Sequence, residues 1–109
     1  MDEVAGATVR SLLWTVPAAV PGIAFLSGGQ SGELASARLN AMNVGFKSRL
    51  PWALAFSFAR AIQQPALEIW QGKEANVLAA QQALYRRARC NSAARRGEYS
   101  AAMERTGAC

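Results

Sequence analysis

Two short segments constrain the fold of this chain most, because each is an apolar run that leads directly into the start of a helix. The first is Gly-Ile-Ala-Phe-Leu-Ser-Gly-Gly-Gln-Ser at 22–31, and the second is Trp-Ala-Leu-Ala-Phe-Ser-Phe-Ala-Arg-Ala at 52–61. Continuous apolar runs are typical of strands in parallel sheets, and their alternation with helices predicts βα units. We expect both strands to end at one edge of a sheet, where ligands bind in α/β proteins.

The apolar spacing along the chain predicts the order helix, strand, helix, strand, helix, helix. Helices are expected at 3–15, at 31–44, from Arg60 to Gly72 and from Lys73 to about Tyr99, with strands at 23–26 and 52–58. Ser31 is expected to cap the second helix, whose buried stripe is predicted to be Ala35, Leu39 and Met42. The last helix is predicted to bury the face formed by Val77, Ala80, Leu84 and Ala88. Residues 100–109 are expected to form a flexible tail. Both strands are apolar enough to be covered on both faces, yet in a sheet of only two strands each is an edge strand with unpaired backbone groups. Since a (β/α)8 barrel takes about 250 residues, the chain is interpreted as part of a larger α/β barrel.

The composition argues against several classes of function. The 109 residues include no histidine, which argues against a His-ligated metal centre and a Ser-His-Asp triad. Arginines interrupt every apolar run before it reaches the length of a membrane span, so no membrane association is expected. The Met-Asp-Glu start lacks a basic signal region, and we expect a cytoplasmic location. The two cysteines, Cys90 and Cys109, are far apart and are expected to be reduced.

Two exposed features are open to more than one interpretation. The net charge of +5 includes a late group of arginines at 86, 87, 89, 95 and 96. A solvated helix face is the simpler interpretation, and a patch for nucleic acid or an acidic partner is the alternative. Leu12, Leu13 and Trp14 are adjacent on the first helix, so one of the three should face outward. If it is Trp14, that residue marks an interface or a missing neighbour.

The candidate site residues follow the two strands. Ser27, Gly28 and Gly29 form a turn in which backbone N–H groups can approach a phosphate without obstruction by a Cβ atom. Ser57 and Arg60 follow the second strand, and the planar guanidinium can pair two phosphate oxygens. The alternatives are a plain strand-to-helix turn for the first group and a rim salt bridge for Arg60. Together the two groups predict an anion site at one edge of the sheet.

A reaction centre is harder to find in the sequence. Covalent carbonyl chemistry needs a lysine at a strand end, and the chain has only Lys47 and Lys73. Lys47 precedes its strand and Lys73 lies between two helices, so neither is placed at the expected site. The sequence therefore predicts half of a binding site without a catalytic group.

At these residues the chain resembles the class I fructose-bisphosphate aldolases. The resemblance covers residues 1 to about 99 and corresponds to the carboxyl-terminal third of that family's barrel. Four ordered segments carry it: Thr-Val-Pro-Ala-Ala-Val-Pro-Gly-Ile-Ala-Phe-Leu-Ser-Gly-Gly-Gln-Ser (15–31), Leu-Asn-Ala-Met-Asn (39–43), Pro-Trp-Ala-Leu-Ala-Phe-Ser-Phe-Ala-Arg-Ala (51–61) and Trp-Gln-Gly-Lys-Glu-Ala-Asn-Val (70–77). The fold this implies is a partial (β/α)8 TIM barrel, with the last two βα units at 1–99 plus C-terminal helices.

The resemblance also implies a function. The family cleaves fructose 1,6-bisphosphate reversibly into two triose phosphates through a Schiff-base lysine, without a metal or another cofactor. The residues that match the family's substrate-phosphate site are Ser27, Gly28, Gly29, Ser57, Ala59 and Arg60. Ala59 stands where many members have glycine. The Schiff-base lysine belongs to a strand that would precede Met1, so the chain alone is expected to be inactive. The ending lacks the terminal tyrosine of animal enzymes and suggests a bacterial-like branch.

The expected partners are fructose 1,6-bisphosphate or a triose phosphate, bound through the phosphate group, with no nucleic acid and no membrane. The alternative from another class is a non-catalytic βα module that self-associates or completes a partner. Apolar strands without neighbours motivate that alternative.

Overall fold

The computed structural model describes residues 3–26, 30–56 and 60–106, and its elements follow the predicted order. Two parallel strands alternate with helices, and a short 3₁₀ turn at Glu74–Asn76 precedes the longest helix. The elements are α1 (Glu3–Thr15), β1 (Gly22–Phe25), α2 (Gly32–Gly45), β2 (Ala53–Phe56), α3 (Arg60–Trp70), α4 (Val77–Arg95) and α5 (Ala101–Thr106).

The sheet pairs β1 with β2 in parallel, in a register that runs from Gly22 opposite Ala53 to Phe25 opposite Phe56. Helix α2 connects the two strands, as the βα pattern predicts. Burial alternates along β1, because Ile23 and Phe25 pack against the core while Gly22 and Ala24 are exposed. The expectation that both strand faces are covered is therefore wrong for the described residues. Their helices cover only the face that carries the large side chains.

The core forms around α2, which buries the stripe that its sequence predicts. Leu39 and Ala35 are completely inaccessible to solvent, and Leu54 of β2 is 1% exposed. A Leu or Phe side chain buried in this way stabilises the fold by about 1.5–3 kcal/mol. Trp52 packs into the same core and donates its indole N–H to the carbonyl of Pro17 at 2.9 Å. Cys90 is wholly buried there and is disulfide-bonded, so the expectation of a reduced thiol is wrong for this residue.

The outward-facing residue at the end of α1 is Trp14. Its side chain is 90% exposed, whereas Leu12 packs against the core and Leu13 is 37% exposed. An indole this exposed leaves a large apolar surface in water, which is typical of an interaction site. The prediction that one of these three residues points away from the core is confirmed.

Only part of the face that the spacing predicts for α4 is buried. Ala80 is buried as expected, whereas Val77 and Leu84 are 36% and 40% exposed and Ala88 is also exposed. Val77 and Leu84 line an open apolar cleft between α3 and the first half of α4. Burial increases in the second half, because α4 there packs against α2.

A glycine turn ends α4 earlier than the sequence analysis expects. Gly97 has a φ of +74°, and the N–H of Glu98 donates to the carbonyl of Ala93 at 2.8 Å. The Gly97 N–H donates to Ala94 at 3.1 Å, which completes a Schellman motif. The helix predicted to reach Tyr99 therefore stops at Arg95, because a left-handed glycine reverses the chain.

The segment at 100–109 differs in part from the flexible tail that the sequence suggests. Its first residues form α5, and the side chain of Glu104 is hydrogen-bonded to α4 and to Tyr99. These buried polar contacts give the segment a fixed place beside α2. Residues 107–109 lie outside the described part of the chain, and the boundary at residue 99 stays a prediction.

Candidate functional site

The carboxyl edge of the sheet brings together the two segments that the sequence analysis singles out. Because β1 and β2 are parallel and in register, their last residues, Phe25 and Phe56, lie side by side. Each strand is followed within a few residues by a helix, with α2 beginning at Gly32 and α3 at Arg60. Two helix N-termini therefore begin after the same edge, and their partial positive charges favour an anion there.

The start of α2 is capped as its sequence predicts. Ser31 has the extended backbone of an N-cap residue, and its Oγ accepts a hydrogen bond from the N–H of Leu34 at 3.1 Å. Just before it, Gln30 accepts a hydrogen bond from the Arg38 guanidinium at 2.7 Å. These two contacts fix the first turn of the helix and the residue that leads into it.

The predicted phosphate-site residues lie mostly outside the described structure. Arg60 is the first residue of α3, but its side chain is not among those described. The structure thus gives the positions of the flanking strands and helices, and the roles of the individual residues stay predictions. The predicted residues outside the described ranges are Ser27, Gly28, Gly29, Ser57 and Ala59.

A buried polar cluster next to this edge was missed by the sequence analysis. The guanidinium of Arg87 forms an ion pair with Glu104, and the same carboxylate oxygen accepts a hydrogen bond from the Tyr99 hydroxyl at 3.0 Å. Arg87 is only 5% exposed, although the sequence places it in a run of arginines interpreted as a solvated face. The cluster borders a cleft of about 500 Å³ that also includes Ser31 and Glu33 from the first turn of α2. Position 87 could not be distinguished by sequence, because its acidic partner lies on an element that was expected to be flexible.

The other arginines of the run differ in their surroundings. Arg96 pairs with Glu98 and also donates to Ser92, and Arg89 lies over the ring of Tyr85 on the exposed side of α4. Neutralised and scattered charges of this kind fit a solvated surface better than a continuous nucleic-acid patch.

The environment of Tyr99 raises the pKa of its hydroxyl from 10.0 to about 12. Burial is the main cause, because it removes water from the phenolate, and the hydrogen bond to the negatively charged Glu104 adds to it. The pKa is higher in the folded state than in the unfolded state, so the folded protein holds this proton more tightly. The stabilisation is complete below pH 10 and is lost as the pH rises towards 12.

The described residues lack two structural features. Within 3–26, 30–56 and 60–106, no helix combines the length and apolar character needed to cross a bilayer. The same part of the chain contains no cluster of three histidine, cysteine or carboxylate side chains that could hold a metal ion.

Comparison with known proteins decides the family. The model of fructose-bisphosphate aldolase class I, described as glycolytic, matches residues 1–108. The chain belongs to the class I fructose-bisphosphate aldolase family. A cytoplasmic aldolase isozyme of Pisum sativum is 57% identical over 93% of the chain, and aldolase B of Gallus gallus is 59% identical over 90%. The chain spans little more than a quarter of these relatives, 28% and 27% of their lengths.

A solved aldolase confirms the fold expected from the resemblance. The Plasmodium falciparum enzyme, crystallised with TRAP and a small-molecule inhibitor, superposes with a TM-score of 0.82 at 50% identity. The match covers 89% of this chain and 27% of that aldolase, as expected for part of a barrel. The bacterial-like branch is not supported, because similar aldolases include those of pea and chicken.

Replacing Tyr99 by phenylalanine should remove the pH dependence derived for its hydroxyl. In the unmodified chain, the free energy of unfolding should fall between about pH 10 and about pH 12 as the unfolded tyrosine ionises first. Urea titrations across this range measure the effect. The matched control is Tyr85→Phe, which removes an exposed hydroxyl and should keep the decline. An equal decline in Tyr99→Phe would show that other groups cause it.

Proposed function

We propose that this chain carries part of the substrate-phosphate site of a class I fructose-bisphosphate aldolase. It would bind fructose 1,6-bisphosphate or a triose phosphate through the phosphate group. The observation that supports this most directly is the parallel register of β1 and β2, which ends both strands beside each other just before two helix starts. The residues assigned to the phosphate are Ser27, Gly28, Gly29, Ser57, Ala59 and Arg60.

The proposed chemistry of recognition follows from these residue types. Glycines at 28 and 29 leave room for a phosphate oxygen close to the backbone N–H groups. Ala59 retains the N–H donor that a glycine would offer, although its Cβ restricts the backbone. Arg60 adds a permanent positive charge and a planar pair of donors at the start of α3.

We also propose that the chain alone does not carry out the cleavage. A Schiff base needs an amine beside the bound carbonyl. Lys47 lines a cleft with Trp52 and Ala53 at the amino end of β2, at the opposite edge from the proposed phosphate. Lys73 lies between α3 and α4, just before the 3₁₀ turn. Neither amine is placed to attack a substrate whose phosphate is bound beyond Phe25 and Phe56.

The covalent step can be tested by trapping. When the chain is incubated with fructose 1,6-bisphosphate and borohydride, mass spectrometry should detect no added triose phosphate, because neither lysine reaches the site. The full-length Gallus gallus aldolase B serves as the comparison for the trapping conditions. An adduct on Lys47 or Lys73 of this chain would contradict the proposed inactivity.

The binding proposal can be tested with a pair of arginine variants. Arg60→Met should weaken binding of inorganic phosphate by roughly tenfold, because it removes one charge-assisted contact. Arg95→Met is the matched control, since Arg95 lines the cleft at the amino end of β2. Isothermal titration at low ionic strength measures both. Equal losses in the two variants would indicate general charge attraction instead of a site.

A second function, a βα module that self-associates or completes a partner, is favoured by one observation. The chain exposes large apolar side chains on three elements or their ends. Trp14 is 90% exposed on α1, Leu26 is 72% exposed after β1, and Leu67 is 52% exposed on α3. Exposed apolar area of this kind is typical of surfaces that are covered in an assembly.

Self-association predicts a specific effect of Trp14. Sedimentation at increasing concentration should show species larger than the 11.6 kDa monomer, and Trp14→Ser should shift them towards the monomer. Tyr85→Ser is a suitable control, because Tyr85 is another exposed aromatic residue, on α4. A monomer at all concentrations would rule out association with itself and leave the phosphate-site function unaffected.

We further propose a cytoplasmic location, with no metal, cofactor, nucleic acid or membrane partner. The location is supported by the similar aldolases of Pisum sativum and Cicer arietinum, both named cytoplasmic isozymes. Cell fractionation of the tagged chain would test this directly.

A further inference from the structure

The Leu-Asn-Ala-Met-Asn segment of α2 contains two asparagines that the proposed phosphate site does not use. Asn40 accepts a hydrogen bond from the backbone N–H of Tyr99 at 3.0 Å through its Oδ1. Asn43 donates from Nδ2 to the carbonyl of Ala94 at 3.0 Å and to that of Leu39 at 3.1 Å. Both side chains therefore link α2 to the end of α4 or to the residues that follow it.

A third contact extends this link towards the start of α2. Ser36 donates its hydroxyl to Oδ1 of Asn91 on α4 at 2.8 Å, and both residues are buried. Ser36, Asn40 and Asn43 are four and three residues apart, which places them on one face of the helix. We call these three residues and their bonds the polar seam. Because hydrogen bonds weaken steeply when distance or angle changes, the seam fixes both the rotation of α2 and its height along α4.

The seam continues to the first turn of α2. Asn40 and Tyr99 line one cleft together with Ser31 and Glu33. Tyr99 also binds Glu104, whose ion pair with α4 borders the neighbouring cleft at the same turn. Tyr99, which donates its N–H to Asn40, and Glu104, its own hydrogen-bond partner, therefore lie beside the first turn of α2.

We propose that Asn40 and Asn43 are positioning residues for the phosphate site. By holding α2 at one height against α4, they keep its first turn at the carboxyl edge of the sheet, where the phosphate is proposed to bind. A helix transmits such a shift along its axis with little loss, and a displacement of about 1 Å is enough to weaken an oriented site. The inference rests on the proposed phosphate function for its effect on binding, whereas the effect on α2 itself can be measured without a ligand.

The two asparagines should respond differently to the same substitution, because one accepts and the other donates. Asn40→Asp keeps an oxygen acceptor for the Tyr99 N–H, whereas Asn40→Ala removes it. Asn43→Asp loses the donor and places a carboxylate against the carbonyl of Ala94. Ala37→Asp, on the exposed surface of the same helix and the same cleft, controls for the added charge near an anion site.

The experiment measures phosphate affinity by NMR titration and amide hydrogen exchange of Leu34, whose N–H is held by Ser31. Both are recorded well below the melting midpoint of each variant, where a general loss of stability leaves the affinity unchanged. Asn40→Ala and Asn43→Asp should weaken phosphate binding by roughly tenfold and speed exchange at Leu34. Asn40→Asp should bind phosphate with the same affinity as Ala37→Asp. Its Leu34 amide should exchange at the same rate as in the unmodified chain.

The outcomes separate the two proposals. If Asn40→Asp behaves like Asn40→Ala, or if Leu34 exchanges at the same rate in every variant, the positioning role is overturned. If the unmodified chain binds no phosphate but exchange at Leu34 follows the expected pattern, the phosphate function fails and the control of α2 by the seam stands. If Asn43→Asp does not fold, the comparison of Asn40→Ala with Asn40→Asp is sufficient to test the proposal.

Discussion

The packing of α2 is the constraint on which the rest of this structure depends. This helix contacts α1, α3, α4, α5 and β2, and it also forms the connection between the two strands. Ala35, Ser36 and Leu39 have no accessible surface, so a change in the rotation of the helix would disturb several interfaces at once. The same helix begins at the edge where β1 ends. The position of the proposed binding edge is therefore set by the core.

Buried polar groups fix the relative positions of the helices in this core more specifically than apolar packing alone would. Arg87 pairs with Glu104, but its Nε has no hydrogen-bond partner within the described residues. A buried ion pair of this kind contributes little net stability, because desolvation offsets the attraction, whereas loss of one partner leaves an uncompensated charge. Its main consequence here is geometric: Glu104 also binds Tyr99, and so α5 can dock on α4 in only one place. The polar seam constrains the position of α2 against α4 in the same way, because each hydrogen bond forms only when its donor and acceptor are within bonding distance.

The sequence is sufficient for the local features of this fold and insufficient for the non-local ones. Apolar spacing and capping residues predict α1, α2, the parallel strands and the Ser31 cap, because these depend on neighbours within one or two turns. The stop at Gly72 is also confirmed, with φ values of 51° at Gln71 and 73° at Gly72. The earlier stop at Gly97 has a similar signal in the sequence, a glycine shortly after a basic last turn.

The errors in α4 and in the sheet have a different origin. Val77 and Leu84 have the spacing of a buried face, but their burial depends on which elements lie across them, and the packing of α3 there leaves an open cleft. Likewise the strands have the apolar composition of a sheet covered on both sides, while the described helices supply one side. The sequence could assign the candidate site to one edge of the sheet, because strand direction and helix starts are determined by local sequence. Ser27 and Ser57 lie outside the described residues, and their roles stay predictions.

Phosphate binding and covalent catalysis differ in how much of a protein they require. A phosphate half-site can be built from one strand end, a glycine turn and a helix start, all within about ten residues of sequence. Schiff-base chemistry needs an amine from a different strand end to reach the same space, which is a non-local requirement. The chain spans 27% of a homologous aldolase, a length that is sufficient for the local kind of site. On the sheet face that no described helix covers, the exposed residues are small: Gly22, Ala24 and Ala53. They leave space for neighbouring side chains, whereas the face towards the helices carries the large residues that hold this part of the barrel together.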